Sequence, residues 1–274
     1  MRRFFAALFF VALAVGSAWA ATPPARAATP EEVALLKEAM QGADQDTEHW
    51  AYTETTIIRD KKWKIREENV VRFDPSKPYA EQYTPLKIGG KPPTERQLKK
   101  YRKVGEERGK KLPKQAEARA KKNPNDLPQL SINDDKATLD VEHPLVVQDE
   151  AGRLTLEIPL RAEKGSDFPA GKFEIRLQVS KSTRQLERAF LRIKESFRLA
   201  LVARIKQGEA TIDFTVVDPS FGPVMTSLEG DFGVSVIFIP LAATVSNTRT
   251  EWQRVKAYDE RFSVKLAPLQ MFGF

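Results

Sequence analysis

The sequence predicts an α+β fold dominated by β-strands, in which an antiparallel sheet follows one helix and is interrupted by one basic helical insertion. Three observations predict this class. Apolar and polar residues alternate along several stretches, as they do in strands with one buried and one solvated face. A capped amphipathic segment precedes these stretches, and a run dense in Lys and Arg interrupts them.

The N-terminal segment has the pattern of an export signal. Two arginines precede an uncharged apolar run over residues 4–15, and small residues follow it, as in a signal peptide. The apolar run is too short to span a bilayer. We therefore expect a periplasmic protein with residues 1–27 as the cleaved signal, or with cleavage after Ala20 as the alternative, and residues 28–274 as one β-rich domain.

Residue counts exclude several kinds of site. The chain has no cysteine, which excludes disulfides, thiolate metal sites and thiol nucleophiles. Its two histidines, His49 and His143, lie far apart, so we expect no metal site, and nothing indicates a cofactor. No sequence motif of an established catalytic class is present. We therefore expect a protein that is not an enzyme.

The positive charge is concentrated in one segment. Residues 94–122 contain twelve Lys or Arg and four Asp or Glu, a net charge of +8. Removal of residues 1–27 lowers the formal charge of the chain from +7 to +4, so the remainder of the chain carries −4. The chain is therefore a mildly acidic body with one basic element, and we expect no nucleic-acid partner.

A helix and three strands are predicted before the basic segment. Thr29, Pro30, Glu31 and Glu32 are typical of a helix start, with a capping hydroxyl, a first-turn proline and acids near the helix dipole. Residues 50–59 and 63–73 are rich in β-branched and aromatic side chains, which favours strands joined by a turn at residues 60–62. Residues 79–88 predict a weaker third strand.

The basic insertion, residues 94–126, is predicted to be helical in two pieces. The first helix is expected over residues 95–104, because Gly105 and Gly109 weaken its continuation and Pro113 interrupts a straight helix. The second piece is expected over residues 114–122. The segment has three interpretations: a solvated insertion, a lid over the sheet, or an electrostatic contact with anionic lipid head groups or an acidic envelope partner.

The remaining chain predicts further strands. Residues 153–161 and 173–180 alternate cleanly. Residues 186–206 fit either one amphipathic helix or two strands, and we favour two strands with a hairpin turn at residues 207–209. Turn residues also indicate a break at residues 229–231. The apolar run at residues 233–241 predicts a strand covered on both faces, or one whose second face lines a ligand cavity.

The order of these elements resembles the periplasmic lipoprotein-carrier (LolA/LolB-like) superfamily. An export signal is followed by a short helix, aromatic strands ending in Phe73-Asp-Pro-Ser, a helical insertion and a long antiparallel run. The resemblance implies a single strongly curved sheet, like an unclosed barrel, wrapped over helices around an apolar cavity that holds acyl chains. It also implies the residues that line this cavity, with the last two on a lid: Trp50, Tyr52, Trp63, Ile65, Phe73, Phe173, Ile175, Leu98 and Tyr101.

These inferences lead to one predicted function and one alternative. We expect a non-enzymatic exported protein that binds an apolar or lipid-like ligand in the concavity of the sheet. The alternative is an envelope protein–protein interaction module that uses residues 94–122. For a contact with an anionic membrane surface or envelope protein, the predicted basic residues are Lys99, Lys100, Arg102 and Lys103. The aromatic residues have an alternative as well, because Trp50, Tyr52, Trp63 and Phe73 also suit an ordinary core.

Overall fold

The computed structural model describes residues 24–43, 47–121, 129–132, 135–200, 203–236 and 239–261. Most of the predicted signal segment lies outside these ranges. The sequence also predicts a last strand over residues 261–266, and residues 262–266 of it lie outside them as well. The helices are α1 (Pro30–Ala43) and α2 (Glu95–Lys121). The strands are β1 (Arg26–Ala27), β2 (Trp50–Asp60), β3 (Ile65–Phe73), β4 (Tyr83–Ile88), β5 (Gln129–Ile132), β6 (Asp135–Leu139), β7 (Leu145–Asp149), β8 (Arg153–Glu157), β9 (Leu160–Ala162), β10 (Phe173–Ser180), β11 (Leu186–Ile193), β12 (Phe197–Ala200), β13 (Ala203–Thr215), β14 (Val224–Val236) and β15 (Ile239–Arg254).

Twelve strands form one large antiparallel sheet that is not closed into a barrel. Its order is β1-β7-β8-β10-β11-β13-β14-β15-β2-β3-β4, and β12 pairs with β13 beside this path. Strands β5, β6 and β9 form a separate three-stranded sheet. The predicted α+β, β-dominated class is confirmed. The second sheet was not predicted, and it divides the predicted strand 153–161 between β8 and β9.

Helix α1 begins with the predicted cap. The backbone N–H of Thr29 donates to Glu32 Oε2 at 2.7 Å, and the backbone N–H of Glu32 donates to Thr29 Oγ1 at 3.3 Å. This reciprocal pair satisfies two N–H groups that have no partner within the helix. One face of the helix, with Leu35, Leu36 and Ala39, is buried.

Helix α1 packs on one face of the large sheet. Its buried residues form a core with side chains of β7, β8, β10 and β11, among them Leu156, Leu177 and Val179. We call this the inner face of the sheet. Residues that pair directly on neighbouring strands have side chains on the same face of the sheet. A row of such residues can therefore be followed across seven strands to identify the inner face on each of them. From β10 to β3 this row is Leu177, Ala189, Ile212, Leu228, Asn247, Thr56 and Asn69.

The described residues within 186–206 are not helical. They include β11, β12 and the start of β13, so the strand alternative is correct and the helical one is not. The predicted turns at residues 207–209 and 229–231 are wrong, because β13 and β14 run through them. Their glycines make space for a ring: a Cβ on Gly208 would lie 3.0 Å from the side chain of Phe232, and one on Gly230 would also collide with it.

The apolar run at residues 233–241 is not a single strand. Strand β14 ends at Val236 and β15 begins at Ile239, and these two residues pair with each other. The prediction of one doubly covered strand is therefore wrong, because the run contains the ends of two neighbouring strands. The side chains of residues 234–241 lie outside the described part of the structure, so the alternative of a cavity lining stays a prediction.

Helix α2 is continuous. It runs through Gly105, Gly109 and Pro113 to Lys121, so the predicted division into two pieces is wrong. Its N-terminus carries a reciprocal cap, in which the backbone N–H of Thr94 donates to Gln97 Oε1 at 2.8 Å and the backbone N–H of Gln97 donates to Thr94 Oγ1 at 3.4 Å. Neither described helix has the length and apolarity that a membrane span requires.

Candidate functional site

Three of the predicted ligand-binding residues come together at one end of the inner face. Tyr52 and Phe73 are paired on neighbouring strands with ring centroids 5.3 Å apart. Trp50 and Tyr52 both contact Trp252, at 6.1 Å and 4.9 Å. We call the connected rings the aromatic cluster: Trp50, Tyr52, Phe73, Tyr83, Phe221 and Trp252.

Three arginines lie over this cluster. The Arg249 guanidinium is 4.6 Å from the centre of the Tyr52 ring, Arg108 is 5.1 Å from that of Phe73, and Arg254 is 3.9 Å from that of Phe221. Such cation–π contacts each contribute on the order of 1 kcal/mol. Burial raises the pKa of Tyr52 to about 12, which keeps its hydroxyl neutral. The cluster is therefore a polar-edged wall rather than a purely apolar one.

The inward side of α2 closes this end of the sheet. Leu98 and Tyr101 are half-buried there. Arg108 donates to Gln82 Oε1 at 2.6 Å and forms an ion pair with Glu48. Burial raises the pKa of Tyr101, and the nearby Glu67 and Glu54 raise it further. Because α2 packs on β4 and Arg108 lies over the Phe73 ring, α2 covers the inner face at this end of the sheet.

An apolar surface lies between the two helices. Ile212 pairs with Leu228, and Val245 pairs with Ile58. All four side chains are half-buried, although they lie on the same face as the α1 core. Helix α1 packs on β10 and β11, and α2 packs on β4. We call these four residues the inner strip. In the sequence, the feature that pointed to this surface was the alternation of Ile212 with polar neighbours, which predicts one buried face of a strand.

The other predicted ligand-binding residues lie elsewhere. Trp63 and Ile65 are 72% and 50% exposed near the β2–β3 turn. Phe173 packs with Phe168 and Phe197 in a core between the two sheets, and Ile175 packs in the α1 core. Strand β10 is separated from β2 by β11, β13, β14 and β15. The structure therefore does not bring these four residues to the aromatic cluster.

The predicted electrostatic residues all point to solvent. Lys99, Lys100, Arg102 and Lys103 are exposed on α2. Lys103 forms an ion pair with Glu107, with Nζ 3.8 Å from the carboxylate oxygen, and such a pair contributes little on an exposed helix.

Two cavities in the described part of the structure are lined by residues outside the inner strip. A cleft of about 460 Å³ lies between α2 and the Asp259–Arg261 turn, lined by Tyr79, Gln82, Arg108, Leu112 and Tyr258 among others. A groove of about 640 Å³ lies along β11, β13 and β14 and is lined mainly by polar side chains, including Arg188 and Asp213. The groove lacks the apolar lining that an acyl chain requires, whereas the cleft has a mainly apolar lining edged by the charged side chains of Glu48, Arg108 and Glu260.

The described residues bring no three His, Asp or Glu side chains together in a way that suits a metal ion. His49 Nε2 lies 2.6 Å from Glu260, and His143 Nδ1 lies 3.0 Å from Asp140. The two histidines contact different carboxylates, so neither is part of a shared two-histidine site.

The comparisons with known proteins give only distant similarities. No protein-family model matches the chain, and no curated protein sequence matches it. Among solved structures, the chain is similar to a LolA superfamily protein from Nitrosomonas europaea, with 9% identity, a TM-score of 0.31, and coverage of 84% of this chain and 96% of that one. It is also similar to MucB in complex with MucA, with 7% identity, a TM-score of 0.14, and coverage of 82% and 99%. Because both TM-scores are so low, the description of the fold rests on the strand order and register of this chain and not on these similarities.

Proposed function

We propose that this chain is a non-enzymatic, periplasmic protein that binds an apolar or lipid-like ligand on the inner face of its large sheet. The observation that carries the proposal is the inner strip, where Ile58, Ile212, Leu228 and Val245 stay half-buried between two helices. The aromatic cluster bounds the strip at one end, and Leu98 and Tyr101 of α2 lie above that end. A lipid chain is the occupant that fits an elongated apolar surface with a polar edge.

The expected affinity follows from the area that such a chain would bury. Each buried methylene contributes about 0.8 kcal/mol, so fourteen of them contribute about 11 kcal/mol. Association costs at least about 4 kcal/mol in lost translational and rotational freedom. The difference of at most about 7 kcal/mol corresponds to a Kd of about 10 μM or weaker. Such an affinity suits a protein that takes up and releases its ligand.

The direct test starts from protein purified from the periplasm. Native mass spectrometry, followed by solvent extraction, measures whether a lipid of defined mass accompanies the folded chain. We expect a bound lipid, and saturable binding of a fluorescent fatty-acid probe after delipidation. A protein that carries no lipid and ignores the probe would contradict the proposal.

A matched pair of variants locates the binding surface. Val245→Glu places a charge in the inner strip and is expected to weaken probe binding at least tenfold, because burying a charge against an acyl chain is costly. Thr248→Glu places the same charge on the same strand, at an exposed position of the opposite face, and is expected to bind normally. Equal binding by both variants would exclude the inner strip.

A second candidate function rests on the outward side of α2. Lys99, Lys100, Arg102 and Lys103 are exposed, while Arg108 on the opposite side holds the helix to the body. This arrangement favours an acidic envelope partner or an anionic membrane surface, to which each basic residue near the surface contributes about 1 kcal/mol.

The second candidate is tested by neutralising these four residues to Gln. Crosslinked partners, and binding to anionic vesicles, are expected to fall sharply relative to wild type. The control neutralises Lys61, Lys62 and Lys64, which are exposed at the β2–β3 turn. Unchanged partner recovery by the α2 variant would remove this candidate.

A further inference from the structure

The inner strip ends in a charged pair. Arg249 Nε donates to Glu54 Oε2 at 2.9 Å, and the two side chains are 23% and 30% exposed. The Tyr52 ring beneath the guanidinium holds it in place at 4.6 Å. Both groups therefore stay accessible to a ligand, unlike the fully enclosed ion pairs of a protein core.

The pair occupies a defined row of the inner face. On β15 and β2 the consecutive rows on this face are Arg249 with Glu54, Asn247 with Thr56, and Val245 with Ile58. The first row is charged, the second is uncharged and polar, and the third is apolar. On these two strands the surface thus changes from charged to apolar over three rows, in the way that an amphiphile changes from head group to chain.

The ion pair selects the head group. The inner face carries groups of both signs in this region, with Glu67 as well as Glu54 and with Arg108 as well as Arg249. A head group with only negative charge would pair with Arg249 but would be repelled by Glu54, whose Oε2 lies 2.9 Å from Arg249 Nε. A head group with one ammonium and one phosphate matches both members of the pair, because the ammonium faces Glu54 and the phosphate faces Arg249.

A second observation indicates that a donor is needed. Asn247 Nδ2 donates to Thr56 Oγ1 at 3.0 Å, while Asn247 Oδ1 is buried without a hydrogen-bond partner among the described residues. An unsatisfied buried acceptor costs about 1–3 kcal/mol. A rotation of this amide toward an N–H-bearing head group would satisfy it.

We propose that the ligand of the inner strip is an amphiphile with a zwitterionic head group, a primary ammonium next to a phosphate, which sits between Glu54 and Arg249 while its chain lies on the strip. This inference rests on the proposed function, because it assumes that an acyl chain occupies the inner face. It adds the class of head group and the orientation of the ligand.

The test compares three ligands with identical acyl chains. Delipidated protein is titrated with lysophosphatidylethanolamine, lysophosphatidylglycerol and the corresponding fatty alcohol, each below its critical micelle concentration. Wild type is expected to bind the ethanolamine lipid at least tenfold more tightly than the other two. This ranking is measured on the unaltered protein, so it does not depend on whether a variant folds.

One variant and one control test whether Glu54 causes the preference for the ethanolamine lipid. Glu54→Gln retains an oxygen acceptor for Arg249 but removes the carboxylate, and is expected to reduce the preference for the ethanolamine lipid to less than threefold. The control, Asp213→Asn, alters an exposed pair on the outer face, where Asp213 lies 2.5 Å from Arg188, and is expected to keep the full preference.

The outcomes separate the two proposals. If none of the three ligands binds, the proposed function fails and this inference fails with it. If all three bind with similar affinity, or if Glu54→Gln leaves the ranking unchanged, the head-group inference is overturned while the acyl-binding function stands. A preference for the glycerol lipid would also overturn it.

Discussion

At the scale of single residues, Arg108 makes an unusual number of contacts for a residue on a basic helix. It donates to Gln82 at 2.6 Å, forms an ion pair with Glu48, and lies 5.1 Å from the centre of the Phe73 ring. Only 17% of its side chain is exposed. One residue therefore connects α2, the 3-10 turn that precedes β2, and the aromatic cluster.

Arg108→Met retains the length of the side chain and removes its charge and donors. We expect the free energy of unfolding to fall by about 1–3 kcal/mol, because Glu48 and Gln82 lose their partner, and we expect faster amide exchange in α2. Denaturant unfolding and hydrogen exchange measure both effects. Lys103→Met, at a 75% exposed position, is the control and should change stability by less than about 0.5 kcal/mol.

Glu32 makes stability dependent on pH. The hydrogen bonds from Arg26 lower its pKa from 4.5 to about 2. A carboxyl whose pKa is depressed in the folded state stabilises that state above pH 4.5, and the contribution is lost as the pH falls toward 2. We therefore expect Glu32→Gln to be less stable than wild type at pH 6 and equal to it near pH 2.

Chemical denaturation between pH 6 and pH 2 measures this difference. Glu31→Gln changes an exposed acid in the same helical turn and serves as the control. A stability difference between wild type and Glu32→Gln that stays constant over the whole range would show that the Arg26 contact does not form.

At the scale of elements, the glycines of α2 determine how closely the helix approaches the sheet. A Cβ on Gly105 would collide with the backbone oxygen of Tyr79, and one on Gly109 would lie 2.6 Å from the Tyr79 ring. Because glycine has a low helix propensity, the same glycines predicted from the sequence that the helix ends there. In the structure they allow the helix to approach Tyr79 closely, and helix propensity carries no information about such a contact.

Gly105→Ala is expected to destabilise the protein by at least about 1 kcal/mol, although alanine favours an isolated helix by about 1 kcal/mol, because the helix has to move away from Tyr79. The matched control is Gly42→Ala in α1, where no atom lies within 4 Å of the added Cβ. It should be neutral or slightly stabilising. Thermal and denaturant unfolding of the two variants give the comparison, and equal effects would contradict the close contact.

Strand β1 bears on the choice between the two predicted cleavage sites. Arg26 pairs with Val146 and Ala27 pairs with Leu145, and the Arg26 guanidinium reaches Glu32 at 2.6 Å. Cleavage after Ala27 would remove both residues of this strand, which favours the site after Ala20. If the chain is exported as we propose, we expect the intact mass of the mature protein to include Arg26, and a mature chain that begins at Ala28 would contradict this expectation.

At the scale of the whole molecule, alternation predicted the strands that have one wet face. Strand β10 is an example, because Phe173, Ile175, Leu177 and Val179 alternate with polar residues and are buried. Alternation did not predict which strands become neighbours, so the placement of β9 in a second sheet was missed. The sequence also predicted a turn where a glycine lies within a strand, as at Gly208. The turn preference of glycine is a local property, and it carries no information about the Phe232 ring of the adjacent strand, which occupies the space beside Gly208.

The aromatic cluster could be predicted in part for the same reason. Trp50, Tyr52 and Phe73 lie on adjacent strands, which the hairpin pattern indicated. Trp252 joins them from a strand almost two hundred residues later, beside a bulge between Thr250 and Gln253. Sequence spacing carries no information about that contact. The inner strip was missed because each of its residues comes from a different strand.

The central claim is that an acyl chain lies on the inner face with its head-group end beside the aromatic cluster, and fluorescence quenching by a fatty acid brominated near its carboxyl group tests it most directly. Trp50 and Trp252 belong to the cluster, while Trp63 is 72% exposed at a distant turn. We expect quenching to persist in Trp63→Phe and to be largely lost in the double variant Trp50→Phe, Trp252→Phe. Quenching that is lost with Trp63 instead, or that is absent altogether, would contradict the claim.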